Sequence, residues 1–388
     1  MTVPTDADFD QAEYLNRYAK IKSLMAERKL DAIIVSGELN YIYLTGHRSD
    51  QNKVDKARPY LVLLPLEGDP IVFTMGFERG HLESATWIRE FRTYEFFRHN
   101  EAIESTLREL KLANGRIGWE LGREQYLGMA VQDFLRLQAS MSSAEFVDAA
   151  DVLLEARSVK SPAEVEYIRQ AASATSLALV NAFAQVKIGM TERDVQRLVA
   201  EAIAHEAGDG PTDMRVLSGK DHTGSRFNMF PTSRKLEPGG TLTVDTGVRV
   251  AGYACDIART AVVGEPTAEQ VKMQEFVYDL NHFCYSFLRP GLPCSEVARQ
   301  CREELDRLGY EKLSVGRIGH GVGLDCLEYP SLREGEEIEI REGMVFACNP
   351  NFPLSFGYFN TEENLVVTPT GGQVLATPAA TRELTVVG

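Results

Sequence analysis

Asp245 and Asp256 stand eleven residues apart in VDTGVRVAGYACDIART, and the residues between them read strand, turn, strand. With the turn centred on Val250-Ala251 the two carboxylates face one another directly, their Cβ atoms roughly 5 Å apart. Like charges that close are destabilising unless one is protonated or a cation sits between them. The alternative reading leaves one aspartate in the turn region and the other in a salt bridge with Arg259. Further along, Gly319-His320-Gly321-Val322-Gly323 sets a histidine among three glycines, where the backbone can approach a neighbour closely and the imidazole is uncrowded. The run is not GxGxxG, so a dinucleotide is not expected. Glu362 and Glu363 lead into the strand LVV, and a period of two puts only one of them on any given face.

The elements that position these residues fall into two blocks. Apolar residues recur at helical spacing from Asp8 to about Leu30, and LDAIIVS, PYLVLLPL and DPIVFTM read as short buried strands. Strands alternating with helices to about Ala149 imply an α/β domain with a mixed sheet. Ser161-Pro162-Ala163-Glu164 is a capping box opening a helix to about Val186, and a second helix runs from Thr191 to about Ala207 before Gly208-Asp209-Gly210-Pro211 breaks it. Beyond it, strands come in blocks around two helices, about Thr267 to Leu288 and Ser295 to Leu308, which predicts α+β with helices on one side of antiparallel sheet. The boundary is expected near residue 155, giving domains 1–155 and 156–388.

With 44% hydrophobic and 25% charged residues, the 388-residue chain builds ordinary cores, and fibrous or disordered classes are excluded. A net charge of -15 repels phosphate backbones and anionic lipid, so no nucleic-acid or membrane partner is expected. MTVPTDADFD carries no basic and apolar leader pattern, and no apolar stretch approaches the roughly 18 residues of a span, so a cytoplasmic location is expected. The six cysteines all lie beyond residue 254 and form no CxxC pair, which predicts buried thiols. Cys255 and Cys348 flank candidate site residues but read as core packing. The seven histidines form neither HxxxH nor HExxH, so any metal must rest on carboxylates. The acidic run Glu334 to Glu339 is expected to be a solvated edge.

In order and spacing, VDTGVRVAGYACDIART, IGHGVGLDCLEYP, REGMVFACNP and TEENLVVT resemble the motifs of the pita-bread family of aminopeptidase P, prolidase, methionine aminopeptidase and creatinase. LDAIIVSGELNYIYLTG is similar to the amino-terminal domain of its creatinase and prolidase branch. The resemblance spans nearly the whole chain. It implies a pita-bread catalytic domain after a smaller α/β domain, a homodimer, and a two-cation site of manganese, cobalt, zinc or iron on Asp245, Asp256, His320 and Glu362. Three anionic oxygens and an imidazole suit borderline-hard divalent cations.

The chain departs from that pattern at three places. Asn349 stands where the family has a glutamate ligand, so the site loses one negative charge and the usual base; an amide oxygen can still coordinate, but a second cation should bind weakly or be absent. Asn228 and Leu327 stand where the family has histidines that position substrate and stabilise the oxyanion. His222 and Arg226, in SGKDHTGSRFNMFPTSR, are candidate replacements, with His222 as acid or base and Arg226 and Asn228 as substrate contacts. Arg58, in ARPYLVLL, resembles an arginine that creatinase sends from a neighbouring protomer to its substrate's carboxylate.

These residues predict a hydrolase of a small C–N bond, amide-like or amidine-like, with an altered or partly lost dinuclear site in which Glu362, Asn349 and His222 take part in catalysis. One reading beside it is an Xaa-Pro peptidase with two divalent ions. Another is an inactive binding homologue, which the retention of four ligand-type residues weighs against.

Overall fold

The computed structural model describes residues 4–49, 57–206, 210–220, 230–310 and 316–388. The chain divides into two compact units, residues 1–157 and 158–388.

In the first unit, Asp10 caps the helix Gln11–Glu27 by accepting the Glu13 N–H at 2.9 Å. The apolar runs form β1 (Ala32–Val35), β2 (Leu61–Pro65) and β3 (Ile71–Met75), buried at every position, and β4 (Glu90–Tyr94), β5 (Arg116–Trp119) and β6 (Glu145–Asp148) complete the sheet. The strand order is β4-β3-β2-β1-β5-β6, with β1 antiparallel to β2 and parallel to β5. Strands covered on both faces read as continuous apolar runs rather than alternations, as these do. Trp119 anchors the core, its ring set edge-on to Phe134 with centroids 5.1 Å apart.

The second unit opens with the capping box: Ser161 Oγ accepts the Glu164 N–H, and the Glu164 carboxylate accepts the Ser161 N–H, at the start of the helix Pro162–Phe183. The helix Glu192–Glu206 follows. One sheet is built from β7 (Pro211–Gly219), β8 (Thr241–Val250), β9 (Tyr253–Ala254) and β10 (Ile257–Val263). The helices Ala268–Tyr285 and Cys294–Arg307 precede a second sheet made of β11 (Gly319–Gly321), β12 (Glu328–Leu332), β13 (Val345–Cys348), β16 (Glu363–Thr368) and β17 (Gly371–Val374). A separate hairpin joins β14 (Asn351–Leu354) to β15 (Gly357–Asn360), and β18 (Thr385–Val387) pairs in parallel with β10. These blocks of strand around helices are the α+β pita-bread arrangement expected after a smaller α/β domain. The two helices lie over a core that includes Cys284, Cys294, Cys301 and Cys348. All six cysteines are free, and five are buried.

The acidic run departs from expectation in one respect. Glu334, Glu337 and Glu339 are exposed, but Glu336 is buried, because its carbonyl receives the Ser295 N–H at a helix start and draws the residue inward. No described helix is long and apolar enough to cross a membrane.

Candidate metal centre

The β8–β9 turn falls on Ala251-Gly252, both at positive φ (51° and 82°), one residue beyond the position expected from the sequence. Gly252 decides this, because a two-residue loop of this kind needs left-handed backbone and glycine adopts it without steric cost. Val250 therefore pairs with Tyr253, and Asp245 faces Ala258 rather than Asp256. Continuing the ladder places Asp256 opposite Gly247, on the same face as Asp245. Such diagonal neighbours are roughly 7–8 Å apart against roughly 5 Å for a direct pair. The two carboxyls remain close enough for each to act on the other's charge. Gly247 makes room for this, since a Cβ there would overlap the Cys255 carbonyl oxygen.

His320 lies on β11, between β12 and β13, opposite Ala347. What its flanking glycines admit is backbone: a Cβ at Gly319 would overlap the Ala347 carbonyl, and one at Gly321 would lie 2.5 Å from the Tyr329 carbonyl. Glu362 donates its N–H to the Ala258 carbonyl at 3.1 Å and so ties the end of one sheet to the other. Cys348 pairs with Glu363. One step further along that register, Asn349 falls opposite Glu362 and on the face that carries His320.

The donor atoms of Asp256, His320 and Glu362 lie within 4.8 Å of one another, all buried. His320 Nε2 is 3.7 Å from Asp256 Oδ2 and 3.6 Å from Glu362 Oε1, too far for hydrogen bonds. His320 Nδ1 faces the Gly321 carbonyl at 3.1 Å, which can only accept, so Nδ1 carries the proton and Nε2 turns a lone pair into the cluster. Among the described residues, His320 Nε2, both Glu362 carboxylate oxygens and Asn349 Oδ1 are buried without a hydrogen-bond partner. Acceptors converge there, and none of the described residues donates to them. Bonds of about 2.0–2.2 Å to one cation would put such donors about 3–4 Å apart, so this set fits a divalent ion.

The electrostatics agree with that geometry. Burial, with the neighbouring Glu362 charge second, pushes the Asp245 carboxyl up to about 7. The same two causes, with Asp245 third, hold Asp256 well above the usual carboxylate range. Without a counter-charge, the cluster keeps protons it would otherwise release. One counter-charge is built in. Arg215 faces Asp245 across the β7–β8 ladder, its Nη1 3.4 Å from Asp245 Oδ1.

Sequence reasoning missed Arg215, although an arginine in the strand MRVLS beside the aspartate hairpin was a legible signal. It also missed Asn364, which is wholly buried and holds the Asp256 main chain, and Arg259 pairs with Glu363 at 2.7 Å rather than with either aspartate. Arg58 lies in the first unit, 3.5 Å from Glu78 Oε1 and beneath the Phe77 ring. Leu327 is 44% exposed. His222, Arg226 and Asn228 fall outside the described residues.

Residues 166–369 match the model of metallopeptidase family M24, and residues 17–159 match the creatinase/prolidase N-terminal domain. The chain belongs to metallopeptidase family M24, and it is a hydrolase acting on C–N bonds. An Xaa-Pro dipeptidase of Pyrococcus horikoshii is 25% identical over 359 residues, covering 92% of this chain and 95% of that protein. A dipeptidase structure from Pyrococcus horikoshii OT3 superposes with a TM-score of 0.82 at 26% identity, over 96% of this chain and 100% of that one. The dipeptidase PepE of Mycobacterium ulcerans gives a TM-score of 0.83 at 25% identity, over 98% and 99%.

Proposed function

We propose that this chain cleaves the C–N bond of a dipeptide-sized substrate of the Xaa-Pro class, with a divalent cation held by Asp256, His320 and Glu362. The observation that carries the reading is the convergence of buried, unpartnered acceptors from those residues. The dipeptidase relatives, matched over nearly their whole lengths, favour it over a broader C–N hydrolase.

A bound divalent cation, whether manganese, cobalt, zinc or iron, would acidify a water and polarise the scissile carbonyl. The chain's own residues prepare that chemistry. The Gly321 carbonyl holds the Nδ1 proton of His320 and so fixes the tautomer that exposes Nε2. Asn364 holds the Asp256 main chain through two hydrogen bonds of 2.9 Å, which sets where that carboxylate points. Asn349, opposite Glu362 in register, offers an amide oxygen where a glutamate would offer charge and a base. That leaves proton transfer to Glu362 and to His222 of the 221–229 segment, with Arg226 and Asn228 of the same segment, and an Arg58 supplied by a neighbouring protomer, as substrate contacts.

The test is hydrolysis of a panel of Xaa-Pro and Xaa-Ala dipeptides by manganese- or cobalt-loaded protein. Cleavage of Xaa-Pro members that disappears in Glu362→Gln is expected; no cleavage of any Xaa-Pro dipeptide by the loaded protein overturns the reading. The neutral Asn349 favours a second reading, a small amide or amidine as substrate, and turnover confined to such compounds would select it.

A further inference from the structure

We propose that Arg215 stands in for a second metal ion, so that the cluster takes one divalent cation on Asp256, His320 and Glu362 while the guanidinium balances Asp245. The inference rests on the metal reading of the cluster and adds to it the residue that sets its stoichiometry.

Arg215 is placed by strand register. It sits directly across the β7–β8 ladder from Asp245, its Nη1 3.4 Å from Oδ1, in a side chain only 23% exposed against a carboxylate 3% exposed. An arginine is charged at every working pH, so it is a permanent cation fixed beside that carboxylate. Its field also reaches Asp256. Among the described residues, Arg259 also lies near the cluster but is engaged elsewhere, since it bonds the Glu363 carboxylate and the Glu362 carbonyl.

Charge counting then favours one ion. With a cation bound, the carboxylates of Asp245, Asp256 and Glu362 supply three negative charges, while an imidazole ligating through Nε2 and the Asn349 amide supply none. One divalent ion with the Arg215 guanidinium supplies three positive charges, and the buried cluster is neutral. A second divalent ion would leave it two charges in excess, with that ion crowded against the guanidinium. Buried net charge is strongly disfavoured. The geometry agrees, because Asp256, His320 and Glu362 group within 4.8 Å while Asp245 is drawn to Arg215. Arg215 and Asn349 therefore act together. The asparagine withholds the charge that a second cation needs, and the arginine occupies its electrostatic place.

The experiment is metal stoichiometry. Metal-free protein is titrated with cobalt(II), followed by its visible absorption, and with manganese(II), followed by electron paramagnetic resonance, and each form is assayed for metal after dialysis. The wild-type chain is expected to saturate at one equivalent, with the spectrum of an isolated manganese ion. Asn349→Glu alone should bind a second ion at least tenfold more weakly than Arg215→Gln/Asn349→Glu, which should take two and show an exchange-coupled pair. Arg215→Lys/Asn349→Glu should follow Asn349→Glu alone. Two equivalents in the wild-type chain overturn the inference, as does equal affinity of Asn349→Glu and the Gln/Glu double variant for the second ion. No tightly bound ion in the wild-type chain overturns the metal reading itself, and this inference with it. The wild-type titration stands even if a variant does not fold.

Discussion

Asn364 grips Asp256 by both of its main-chain polar groups: its Oδ1 accepts the Asp256 N–H and its Nδ2 donates to the Asp256 carbonyl, each at 2.9 Å. Asp256 lies in the break between β9 and β10, where no main-chain group of the described residues hydrogen-bonds its backbone. A buried side-chain amide therefore does the work of a neighbouring strand, and it sets the direction from which the Asp256 carboxylate enters the cluster.

Replacing that amide should expose the dependence. Asn364→Ala leaves a buried N–H and a buried carbonyl unpaired, which costs about 2–4 kcal/mol at 1–2 kcal/mol for each. Asn364→Asp keeps the acceptor, loses the donor and adds a buried charge, so it should also lose metal affinity. Both Trp87 and Trp119 lie in the first unit, so fluorescence does not follow this transition. Circular dichroism or amide exchange within β10 and β16 would. Unchanged stability and unchanged metal affinity in both variants would show that the grip is dispensable.

Gly247 carries a steric version of the same dependence. A Cβ there would overlap the Cys255 carbonyl oxygen, so Gly247→Ala must push β8 away from the segment bearing Asp256. Overpacking of this kind costs about 1–3 kcal/mol, and it should weaken cation binding as well, because Asp245 lies on β8 and Asp256 in the segment pushed away from it. Gly316→Ala is the control, since no described residue lies within 4 Å of the added carbon. Equal unfolding midpoints for the two variants would refute the argument.

The centre was legible where it depends on residue type and obscured where it depends on register. The order of the aspartate hairpin, the glycine-flanked histidine and the closing glutamate pointed to residues that the structure brings together: Asp256, His320 and Glu362. The pairing of Asp245 with Asp256 was misplaced by two residues, because a turn one residue further on shifts every partner and only the left-handed backbone at Gly252 decides between the two. Arg215 was legible as a strand residue but not as the partner of Asp245, for a related reason. Its meaning comes from the strand it faces, and 25 residues of sequence lie between it and β8. In the first unit the strands were plain, since runs such as AIIV and LVLLP carry no polar residue to obscure them.

The first unit should lose stability in mild acid through His47. The ring is buried, with Tyr41 Oη 3.1 Å from Nδ1 and His81 Nδ1 3.1 Å from Nε2, and Tyr60 packs against it. Burial, then the His81 charge, lowers its pKa from 6.5 to about 4. Between those values the unfolded chain binds a proton that the folded chain refuses, so stability rises with pH across the window. The contribution, at most about 3 kcal/mol, is complete above pH 6.5 and lost as pH falls toward 4. Buried His99 is shifted the same way and adds to the slope. Tryptophan fluorescence reads this unit, and His47→Gln should remove about one proton from the pH dependence of its urea midpoint. An identical slope in the variant would assign the dependence elsewhere.

Metal should stabilise the second unit, with a dependence on Glu362 that a surface site would not have. A ligand that binds only the folded state adds about 2.7 kcal/mol at one hundred times its dissociation constant. For a unit of this size, that is a rise of roughly 5–10 °C in its unfolding temperature. The cation replaces protons on carboxylates that otherwise repel one another, and it satisfies the unpartnered His320 and Glu362 atoms. Manganese(II) or cobalt(II) should therefore raise the second transition in calorimetry and leave the first in place, and EDTA should reverse the shift. Glu362→Gln should abolish it, because the amide brings hydrogen-bond donors into a ring of acceptors and removes a charge. A metal-induced shift that survives Glu362→Gln would place the ion outside this cluster.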